Sequence, residues 1–311
     1  MTATATRPRV AFAGLGWIGR SRMTALTESG AAEAAMLCDP AMPESCSFEE
    51  LLASDADAIV IATPNALHAE QSIVALERGK AVFCQKPLGR NAEETARVVD
   101  AARANDRLLG VDLSYRYTDA MRAVRDAVPD IGEVFAAELT FHNAYGPDKA
   151  WFYDRQLSGG GCVLDLGIHL VDLALWTLGF PQVEHVTSRL FSSCGSVEDY
   201  ATARIDLSNG TAVSLACSWN LSAGEDCTIA VTFYGKRGAV GFRNVNGSFY
   251  DFAAHRYEKT RTIPLTAPPD AWGGRAICAW ARKLTAPRFD PEIEQVVQVA
   301  RALDSIYGAT A

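Results

Sequence analysis

The stretch that decides the fold is residues 10–19, which read VAFAGLGWIG. The apolar run before the glycines is typical of a buried parallel strand, and residues 17–28 are compatible with a helix. Gly14 permits a tight turn, Gly16 lets backbone approach a pyrophosphate, and Gly19 lets the helix pack on the strand. The helix N-terminus adds amides and a positive dipole end. A strand, a glycine-rich turn and a helix in this order indicate a dinucleotide-binding fingerprint.

A carboxylate, Asp39, follows the second predicted strand at residues 34–38. It stands 20 residues after Gly19, which is the spacing at which an acidic side chain receives the adenosine ribose hydroxyls in dinucleotide-binding folds. A carboxylate there would repel a 2′-phosphate, so the pattern favours NAD over NADP. The alternative is a plain turn residue before Pro40.

Strand-like and helix-like stretches alternate along residues 7–113. Buried strands are predicted at 58–63, 81–84 and 107–113, with helical segments between them. This alternation predicts a doubly wound parallel sheet, in which ligands bind beyond the carboxyl ends of the strands. The polar residues at those ends are Thr63, Asn65, Gln85 and Lys86.

The bulk composition excludes several classes of function. The chain has 311 residues, of which 49% are hydrophobic and 21% charged, and a formal net charge of −8 at pH 7. These values are typical of a globular enzyme with room for two domains. They provide no basic surface for nucleic acid or an anionic membrane, and no apolar run long enough to cross a bilayer is evident.

Cysteine usage indicates a reducing compartment. The eight cysteines form no CxxC pair and show no zinc-ligand spacing. The first residues lack the apolar segment of a signal peptide. We therefore expect reduced thiols in a cytoplasmic protein and no metal site.

The pattern changes after about residue 113, where strands follow one another without intervening helices. Such runs predict a large, mostly antiparallel open sheet in a second α/β domain. Asn209-Gly210 predicts a hairpin turn, and residues 248–252 are predicted to form a strand. The predicted domains are therefore a Rossmann domain at 1–114 and a second domain at 115–311.

Polar residues interrupt an apolar helix predicted over residues 163–178. Asp165, His169 and Asp172 are spaced i, i+4 and i+7, so they share one face of an α-helix. The other side chains are apolar nearly all round, which predicts burial, where titratable groups are costly unless paired or used. The glycines at 159–161 give a permissive backbone that lets a substrate come close. The alternative is a polar network internal to the fold, with Asp172 the most structural of the three.

These residue types suit hydride chemistry on a hydroxyl or ketone. Histidine has an unperturbed pKa suited to taking a hydroxyl proton near neutrality. A nearby carboxylate can orient the imidazole, and a lysine ammonium beside the substrate oxygen stabilises developing alkoxide charge. Lys86 is the candidate ammonium because it lies at a strand end beside the predicted cofactor. The alternative is a surface lysine.

Together these segments resemble the glucose–fructose oxidoreductase/inositol 2-dehydrogenase (Gfo/Idh/MocA) family. The matching pieces are GLGWIG at 14–19, CDP at 38–40, ATPNALH at 62–68, GKAVFCQKPLG at 79–89, YRY at 115–117 and GGGCVLDLGIHLVDLALWTLG at 159–179. The resemblance implies a Rossmann domain followed by a substrate-binding α/β domain, whose large open sheet is often used for oligomer contacts. It also implies nicotinamide-dependent oxidation or reduction of a sugar, cyclitol or related polyol.

The resemblance also implies residue roles. Lys86 matches a lysine that binds a substrate hydroxyl, and Asp165 and His169 match the pair that completes a catalytic triad with histidine as proton acceptor or donor. The expected cofactor contacts are Gly14, Gly16, Trp17, Ile18, Gly19, Asp39, Thr63, Pro64, Asn65, His68, Gln85 and Lys86. The expected substrate contacts, chosen by position along the chain, are Tyr115, Arg116, Asn143, Trp151, Arg155 and Asp172.

The sequence departs from the family pattern in two places. The usual EKP reads Gln85-Lys86-Pro87 here, so a neutral partner replaces a carboxylate beside the lysine. Ser47, which precedes a predicted helix, follows Asp39 by only eight residues. The adenine side of the predicted pocket is therefore trimmed.

These observations predict an NAD-dependent dehydrogenase or ketoreductase acting on a secondary alcohol or ketone of a sugar, cyclitol or related polyol. One alternative is a redox-neutral enzyme that recycles NAD during elimination, epimerisation or glycoside cleavage. A second is a non-catalytic dinucleotide-binding protein, which the retention of Lys86, Asp165 and His169 argues against. We expect a homodimer or homotetramer formed through the C-terminal sheet, with no nucleic-acid or membrane partner.

Overall fold

The computed structural model describes residues 7–193 and 195–308 and divides into two compact units. The first unit contains the residues up to Ser114 together with Gly273–Glu294. The second contains Tyr115–Trp272 together with the residues from Gln295 onward.

The first unit is built on a parallel sheet of five strands in the order β2-β1-β3-β4-β5. Its strands are β1 (Arg9–Ala13), β2 (Glu33–Cys38), β3 (Ala58–Ile61), β4 (Ala81–Cys84) and β5 (Leu109–Val111). Every residue of β3 and β4 is buried, which explains why these stretches are continuously apolar. The strand order reverses between β1 and β3, where doubly wound sheets bind their ligands. The predicted doubly wound sheet is confirmed.

Helices alternate with these strands. Numbered along the whole chain, the helices of this unit are α1 (Trp17–Glu28), α2 (Phe48–Ala53), α3 (Asn65–Glu77), α4 (Ala92–Ala104) and α8 (Arg275–Ala281). Ser47 starts α2 with a capping box, in which its hydroxyl accepts from Glu50 N and the Glu50 carboxylate accepts from Ser47 N. This cap begins α2 soon after β2 and closes the short connection that follows Asp39.

The second unit is built on a sheet of eight strands in the order β13-β12-β11-β10-β6-β9-β8-β7. Its strands are β6 (Val134–Asn143), β7 (Val183–Phe191), β8 (Tyr200–Leu207), β9 (Ala212–Ser218), β10 (Cys227–Gly235), β11 (Gly238–Asn244), β12 (Phe252–Glu258) and β13 (Arg261–Pro264). Neighbouring strands are antiparallel except β6 and β9. Gly210 adopts φ +83° in the turn between β8 and β9, as the Asn-Gly pair predicts. The predicted mostly antiparallel sheet is confirmed.

Helices pack on this sheet. Those that do are α5 (Asp119–Ala127), α7 (Ile168–Leu178) and α9 (Gln295–Ile306), and the unit also contains the short α6 (Arg155–Ser158). Alternate residues of β6, Ala137, Leu139 and Phe141, are buried in the core, and α7 packs on β6 and on α9. Nine of the eleven residues of α7 are buried, and the other two, Trp176 and the terminal Leu178, are partly exposed.

One stretch contradicts the expectation that no run is apolar enough to cross a bilayer. The stretch Arg155–Leu178 is long and apolar enough to cross a membrane, judged by length and composition alone. However, 83% of its most apolar window is buried inside the structure. The stretch contains α6, the glycines at 159–161 and α7. Its hydropathy is accounted for by packing in the core of the second unit.

Three predictions made from the C-terminal half need correction. The strand predicted at 248–252 is wrong, because β12 starts only at Phe252 and the preceding residues form a turn in which Asn244 donates to the Ser248 carbonyl at 3.1 Å. The apolar pattern of residues 271–284 predicts one helix, but α8 covers only Arg275–Ala281 and gives way to a 3₁₀ turn at Arg282. Finally, the second domain is predicted to cover 115–311, but residues 273–294 pack with the first unit. A Cβ at Gly274 would lie 2.0 Å from Ala25 Cβ on α1.

Candidate functional site

The glycine-rich turn between β1 and α1 closes tightly onto the end of β3. Gly14 adopts φ +87°, and a Cβ there would lie 2.4 Å from the Ala62 carbonyl oxygen. A Cβ at Gly19 would lie 2.1 Å from the Gly14 carbonyl oxygen. Glycine is therefore required at both positions, first for the backbone conformation and then for the approach of the helix to the turn.

The N-terminus of α1 offers its backbone amides. Gly16 is the N-cap residue in an extended conformation, and no side chain of the described residues caps the helix at this end. Trp17 and Ile18 open the first turn, which carries no acidic residue, and Trp17 is 62% exposed. Uncapped amides at a helix N-terminus suit a phosphate group, so the residues present fit a dinucleotide pyrophosphate.

Asp39 lies beside this turn. Its carboxylate accepts from Leu15 N at 2.5 Å and from Ala41 N at 2.8 Å. The same side chain thus fixes the glycine-rich turn and places a negative charge next to it. A ribose diol can share such a carboxylate, whereas a phosphate would be repelled.

Four predicted cofactor residues lie at the carboxyl ends of β3 and β4. Thr63 donates from its hydroxyl to Gln71 Oε1 at 2.7 Å, and Pro64 is the N-cap residue of α3. Asn65 is buried at the first position of α3, and Lys86, after β4, is partly exposed. These residues lie at the sheet edge that the strand order marks as the ligand-binding edge.

His68 is committed to the backbone of its own unit. Its Nδ1 lies 2.7 Å from the Pro87 carbonyl oxygen and its Nε2 lies 2.7 Å from the Thr63 carbonyl oxygen. Burial lowers the pKa of His68, and a neutral imidazole carries a single N–H that serves one of these carbonyls at a time. The ring ties the ends of β3 and β4 together and has no nitrogen left over for a cofactor.

Gln85 is bonded to a carboxylate that the sequence analysis missed. Its Nε2 donates to Asp112 Oδ2 at 2.5 Å. Asp112 follows β5 and is fully buried with Arg22 of α1. No motif pointed to either residue, and only their place at the end of β5 and within α1 could have suggested them.

In the second unit, the segment that carries Asp165 differs from the prediction. Residues 163–167 form a π-helical turn, and the α-helix starts only at Ile168. The prediction that Asp165 shares one α-helical face with His169 and Asp172 requires an uninterrupted α-helix. That prediction is therefore wrong for Asp165. The carboxylate is instead held from the sheet, because Trp219 Nε1 donates to Asp165 Oδ2 at 3.0 Å. π-turns within helices are frequent at functional sites.

His169 occupies an aromatic pocket at the start of α7. Its ring centroid lies 4.9 Å from that of Tyr115 at an interplanar angle of 74°, and 6.1 Å from that of Phe141. The imidazole is 9% exposed. Tyr115 is buried, which raises the pKa of its phenol well above the usual range. The uncharged phenol ring of this predicted substrate residue packs against the His169 ring.

Asp172 and Arg116, both predicted as substrate contacts, form a buried ion pair. Arg116 donates from Nε to Asp172 Oδ2 at 2.8 Å and from Nη2 to Asp172 Oδ1. Its guanidinium also lies over the rings of Trp176 and Phe180, 5.7 and 5.6 Å from their centroids. These contacts support the alternative in which Asp172 belongs to a polar network internal to the fold.

The glycines before the π-turn serve packing instead of substrate approach. A Cβ at Gly161 would lie 1.9 Å from the Glu198 carbonyl oxygen, and a Cβ at Gly160 would lie 2.1 Å from Tyr307 Oη. The buried Glu198 carboxylate accepts from Gly161 N, from Val163 N and from the Tyr307 hydroxyl at 2.7–3.0 Å. Glu198 therefore fixes the start of the segment that carries Asp165, a role the sequence did not reveal.

Three further substrate candidates lie in the second unit with different surroundings. Trp151 stacks on Phe152 with centroids 3.8 Å apart. Arg155, at the start of α6, lies over the ring of Tyr307 at 5.4 Å. Asn143 ends β6, and its buried Oδ1 has no hydrogen-bond partner among the described residues. Asn143 is thus the candidate whose polar group is still available inside the unit.

We expect Trp219→Phe to lower kcat by about tenfold or more, because the variant loses the hydrogen bond that holds the Asp165 carboxylate. A hydrogen bond to a charged group contributes about 1.5–3 kcal/mol. The phenyl ring keeps the packing against Tyr153, whose ring centroid lies 5.6 Å away. Steady-state kinetics of the variant measure the effect.

Trp280→Phe is the matched control. Trp280 is equally buried, but its Nε1 has no hydrogen-bond partner among the described residues. The same substitution there removes an indole N–H that holds nothing, so kcat should stay at the wild-type value. Equal losses in both variants would contradict a role for the Trp219 bond.

Comparison with family models supports both units. Residues 8–113 match the model for the NAD-binding Rossmann fold of an oxidoreductase family, and residues 121–241 match the model of the GFO/IDH/MocA C-terminal domain. The two models lie on either side of the boundary between Ser114 and Tyr115.

Two named proteins are also similar to this chain in sequence. The chain is 32% identical over 255 residues to a putative UDP-kanosamine synthase oxidoreductase subunit of Amycolatopsis mediterranei, covering 71% of each chain. It is 32% identical over 212 residues to D-glucoside 3-dehydrogenase of Escherichia coli, covering 62% of this chain. That match spans only 60% of the length of the E. coli protein.

Solved structures share the fold over nearly the whole chain. A 3-ketoreductase from Actinomadura kijaniata, in complex with NADP and TDP-benzene, superposes with a TM-score of 0.85 at 21% identity and covers 98% of both chains. Levoglucosan dehydrogenase in complex with NADH gives a TM-score of 0.81 at 20% identity, covering 98% of this chain and 97% of that one. Because both family models match and a relative 32% identical is covered over 71% of each chain, this chain belongs to the Gfo/Idh/MocA family of oxidoreductases.

Proposed function

We propose that this protein is an NAD(H)-dependent dehydrogenase or ketoreductase acting on a secondary alcohol or ketone of a sugar, cyclitol or related polyol. The strongest support is the uncapped N-terminus of α1 behind a turn that only glycine can form, with Asp39 beside it. Relatives named as a glucoside, a levoglucosan and an inositol dehydrogenase support the substrate class.

In the proposed reaction the chain supplies proton transfer and charge stabilisation. A nicotinamide dinucleotide, when bound, would supply or accept the hydride. His169 takes the substrate hydroxyl proton during oxidation and returns it during reduction. The Lys86 ammonium stabilises negative charge on the substrate oxygen. Asp165, held by Trp219, orients the imidazole or an adjacent substrate hydroxyl.

An absorbance screen at the NADH band tests this function. Purified protein is incubated with NAD and a panel of cyclitols and free sugars, and with NADH and a panel of keto-sugars. We expect net NADH formation or consumption in step with product. Product without net NADH would instead indicate the redox-neutral alternative, and cofactor binding without any reaction would indicate a non-catalytic binding protein.

We propose NAD as the preferred cofactor, although solved relatives include complexes with NADH and with NADP. The negative charge of Asp39 lies beside the glycine-rich turn, and juxtaposed like charges cost several kcal/mol. Asp39→Asn should therefore shift the ratio of kcat/KM for NAD to that for NADP toward NADP by about 100-fold.

Asp57→Asn is the control for this change. Asp57 also accepts a backbone amide, Arg9 N at 2.7 Å, but it precedes β3 at the opposite end of the strands. The variant should keep the wild-type cofactor ratio. An unchanged ratio in Asp39→Asn would refute the proposed role of its charge.

We further propose a cytoplasmic homodimer or homotetramer formed through the eight-stranded sheet. The described cysteines are free thiols, which suits a reducing compartment. Leu190 and Phe191 on the edge strand β7 are 40% and 62% exposed, as expected of a surface that pairs with a second copy. Light scattering during size-exclusion chromatography measures the assembly, and a monomeric mass at micromolar concentration would refute it.

A further inference from the structure

Four buried polar side chains meet at the carboxyl ends of β4 and β5. Asp112 accepts from Gln85 Nε2 at 2.5 Å, from Arg22 Nε at 2.5 Å and from the Ser114 hydroxyl at 2.7 Å. Arg22 also donates to Ser114 Oγ at 3.1 Å. Asp112 and Arg22 are each 1% exposed. One carboxylate thus joins α1, the end of β4 and the end of β5.

The chemistry of this cluster determines which side chain fits at position 85. An ionised carboxylate only accepts hydrogen bonds, so it must face the amide nitrogen of Gln85. The amide oxygen then occupies the other branch of the side chain, directed away from Asp112. A glutamate at this position would place a second carboxylate against the first, in a region where buried charge must be paired.

The cluster also explains how the chain does without an acidic residue in the Gln85-Lys86-Pro87 segment. A single negative charge remains in the cluster, but β5 supplies it through Asp112. Arg22 needs that charge, because a buried guanidinium left without an anion is strongly destabilising. In this chain the carboxylate therefore lies at the end of β5 and the amide at the end of β4.

We propose that Asp112 is a positioning residue of the cofactor pocket, which selects an amide at position 85 and turns the Gln85 carbonyl oxygen toward a hydroxyl of the bound dinucleotide. This inference rests on the proposed function, since it assumes that a nicotinamide dinucleotide occupies the strand ends. Arg22 anchors the arrangement to α1, the helix whose N-terminus fits the pyrophosphate.

Three variants of the full-length protein test the exchange: Gln85→Glu, Asp112→Asn and the double variant. Both single variants should raise the Kd for NAD by about tenfold and lower Tm by about 5 °C, because each leaves an unpaired buried charge. The double variant restores one carboxylate and one amide in exchanged positions. It should return Kd to within about threefold and Tm to within about 2 °C of wild type, since contacting residues couple.

Gln298→Glu on the exposed face of α9 is the control for the chemical change. It should leave Kd and Tm at wild-type values. Isothermal titration calorimetry with NAD gives Kd, and differential scanning calorimetry gives Tm.

The outcomes separate the proposal from its premise. Additive losses in the double variant, or wild-type behaviour of Gln85→Glu, would overturn the role of Asp112. Recovery of Tm without recovery of Kd would reduce the cluster to a structural network and overturn the positioning role. Absence of any NAD(H) or NADP(H) binding by the wild type would instead refute the proposed function, while the Tm values would still report the charge exchange.

Discussion

A Lys86→Ala variant is expected to bind NAD with nearly wild-type affinity and to lose kcat by about 100- to 1,000-fold. The loss follows from the removal of a cationic donor at the oxygen where charge develops, a type of change that costs about that factor in other enzymes. Lys86 lies at the carboxyl end of β4, after the buried strand and next to the cis peptide bond with Pro87. Steady-state kinetics and a direct NAD titration separate the two quantities.

Lys236→Ala is the matched control for Lys86→Ala. Lys236 is an exposed residue that pairs with Glu133 at 2.7 Å in the second unit. Exposed substitutions of this kind change stability by about 0.5 kcal/mol or less, so kcat and Kd should not move. Unchanged turnover in Lys86→Ala would refute the assigned role, and a parallel loss of NAD affinity would make Lys86 a cofactor residue instead.

The five-stranded sheet of the first unit could be predicted from sequence almost to its strand boundaries. Buried parallel strands are continuously apolar, and glycine marks the turn after β1, so local residue chemistry specifies both the strands and their connections. The sequence also placed Thr63, Asn65, Gln85 and Lys86 at the ligand-binding edge, because the carboxyl ends of parallel strands share one edge. The residues that hold these side chains were harder to find.

Side-chain partners that are distant in the chain left no local signal. Arg22 and Asp112 are separated by 90 residues, and Trp219 and Asp165 by 54 residues. Neither pair has a spacing or a motif, since the contact exists only once the strands have assembled. The sequence therefore gives no sign of the partners of Gln85 and Asp165, although it marks both residues as site candidates.

The π-turn at 163–167 marks a second limit of the sequence pattern. Hydrophobic periodicity reports which residues are buried, and here nearly every residue is buried, so it carries no information about the hydrogen-bond register. Glu198 bonds the amides of Gly161 and Val163 at the start of this segment. Because Glu198 is 35 positions away from Val163 in the sequence, no local pattern encodes its effect on this part of the backbone.

Arg116→Met is expected to destabilise the second unit by about 3–5 kcal/mol at pH 8, the usual cost of leaving a buried charge without its partner. Asp172 is 2% exposed and bonded to Arg116 through both carboxylate oxygens. Methionine retains apolar bulk beside Trp176 and Phe180. Urea unfolding curves at a series of pH values measure the loss.

The pH dependence has a definite sign. Burial raises the pKa of Asp172 and Arg116 opposes that rise, with burial the larger effect. A carboxyl whose pKa is higher in the folded than in the unfolded protein favours folding at low pH, and that contribution is lost as the pH rises through the folded-state pKa. Without Arg116 the pKa of Asp172 rises further, so the loss in Arg116→Met should shrink as the pH is lowered from 8 to 5.

Two variants complete the experiment. Arg125→Met removes a guanidinium that lies 4.1 Å from the centroid of the same Trp176 ring but forms no ion pair with the described residues, so it should cost about 1 kcal/mol or less at every pH. Arg116→Met/Asp172→Leu removes both charges and should recover most of the stability, because apolar pairs often replace buried ion pairs without loss. If Arg116→Met instead raised KM for the substrate while leaving the unfolding curve unchanged, the pair would belong to substrate binding, because a solvated or substrate-bound Asp172 would not need Arg116 for folding.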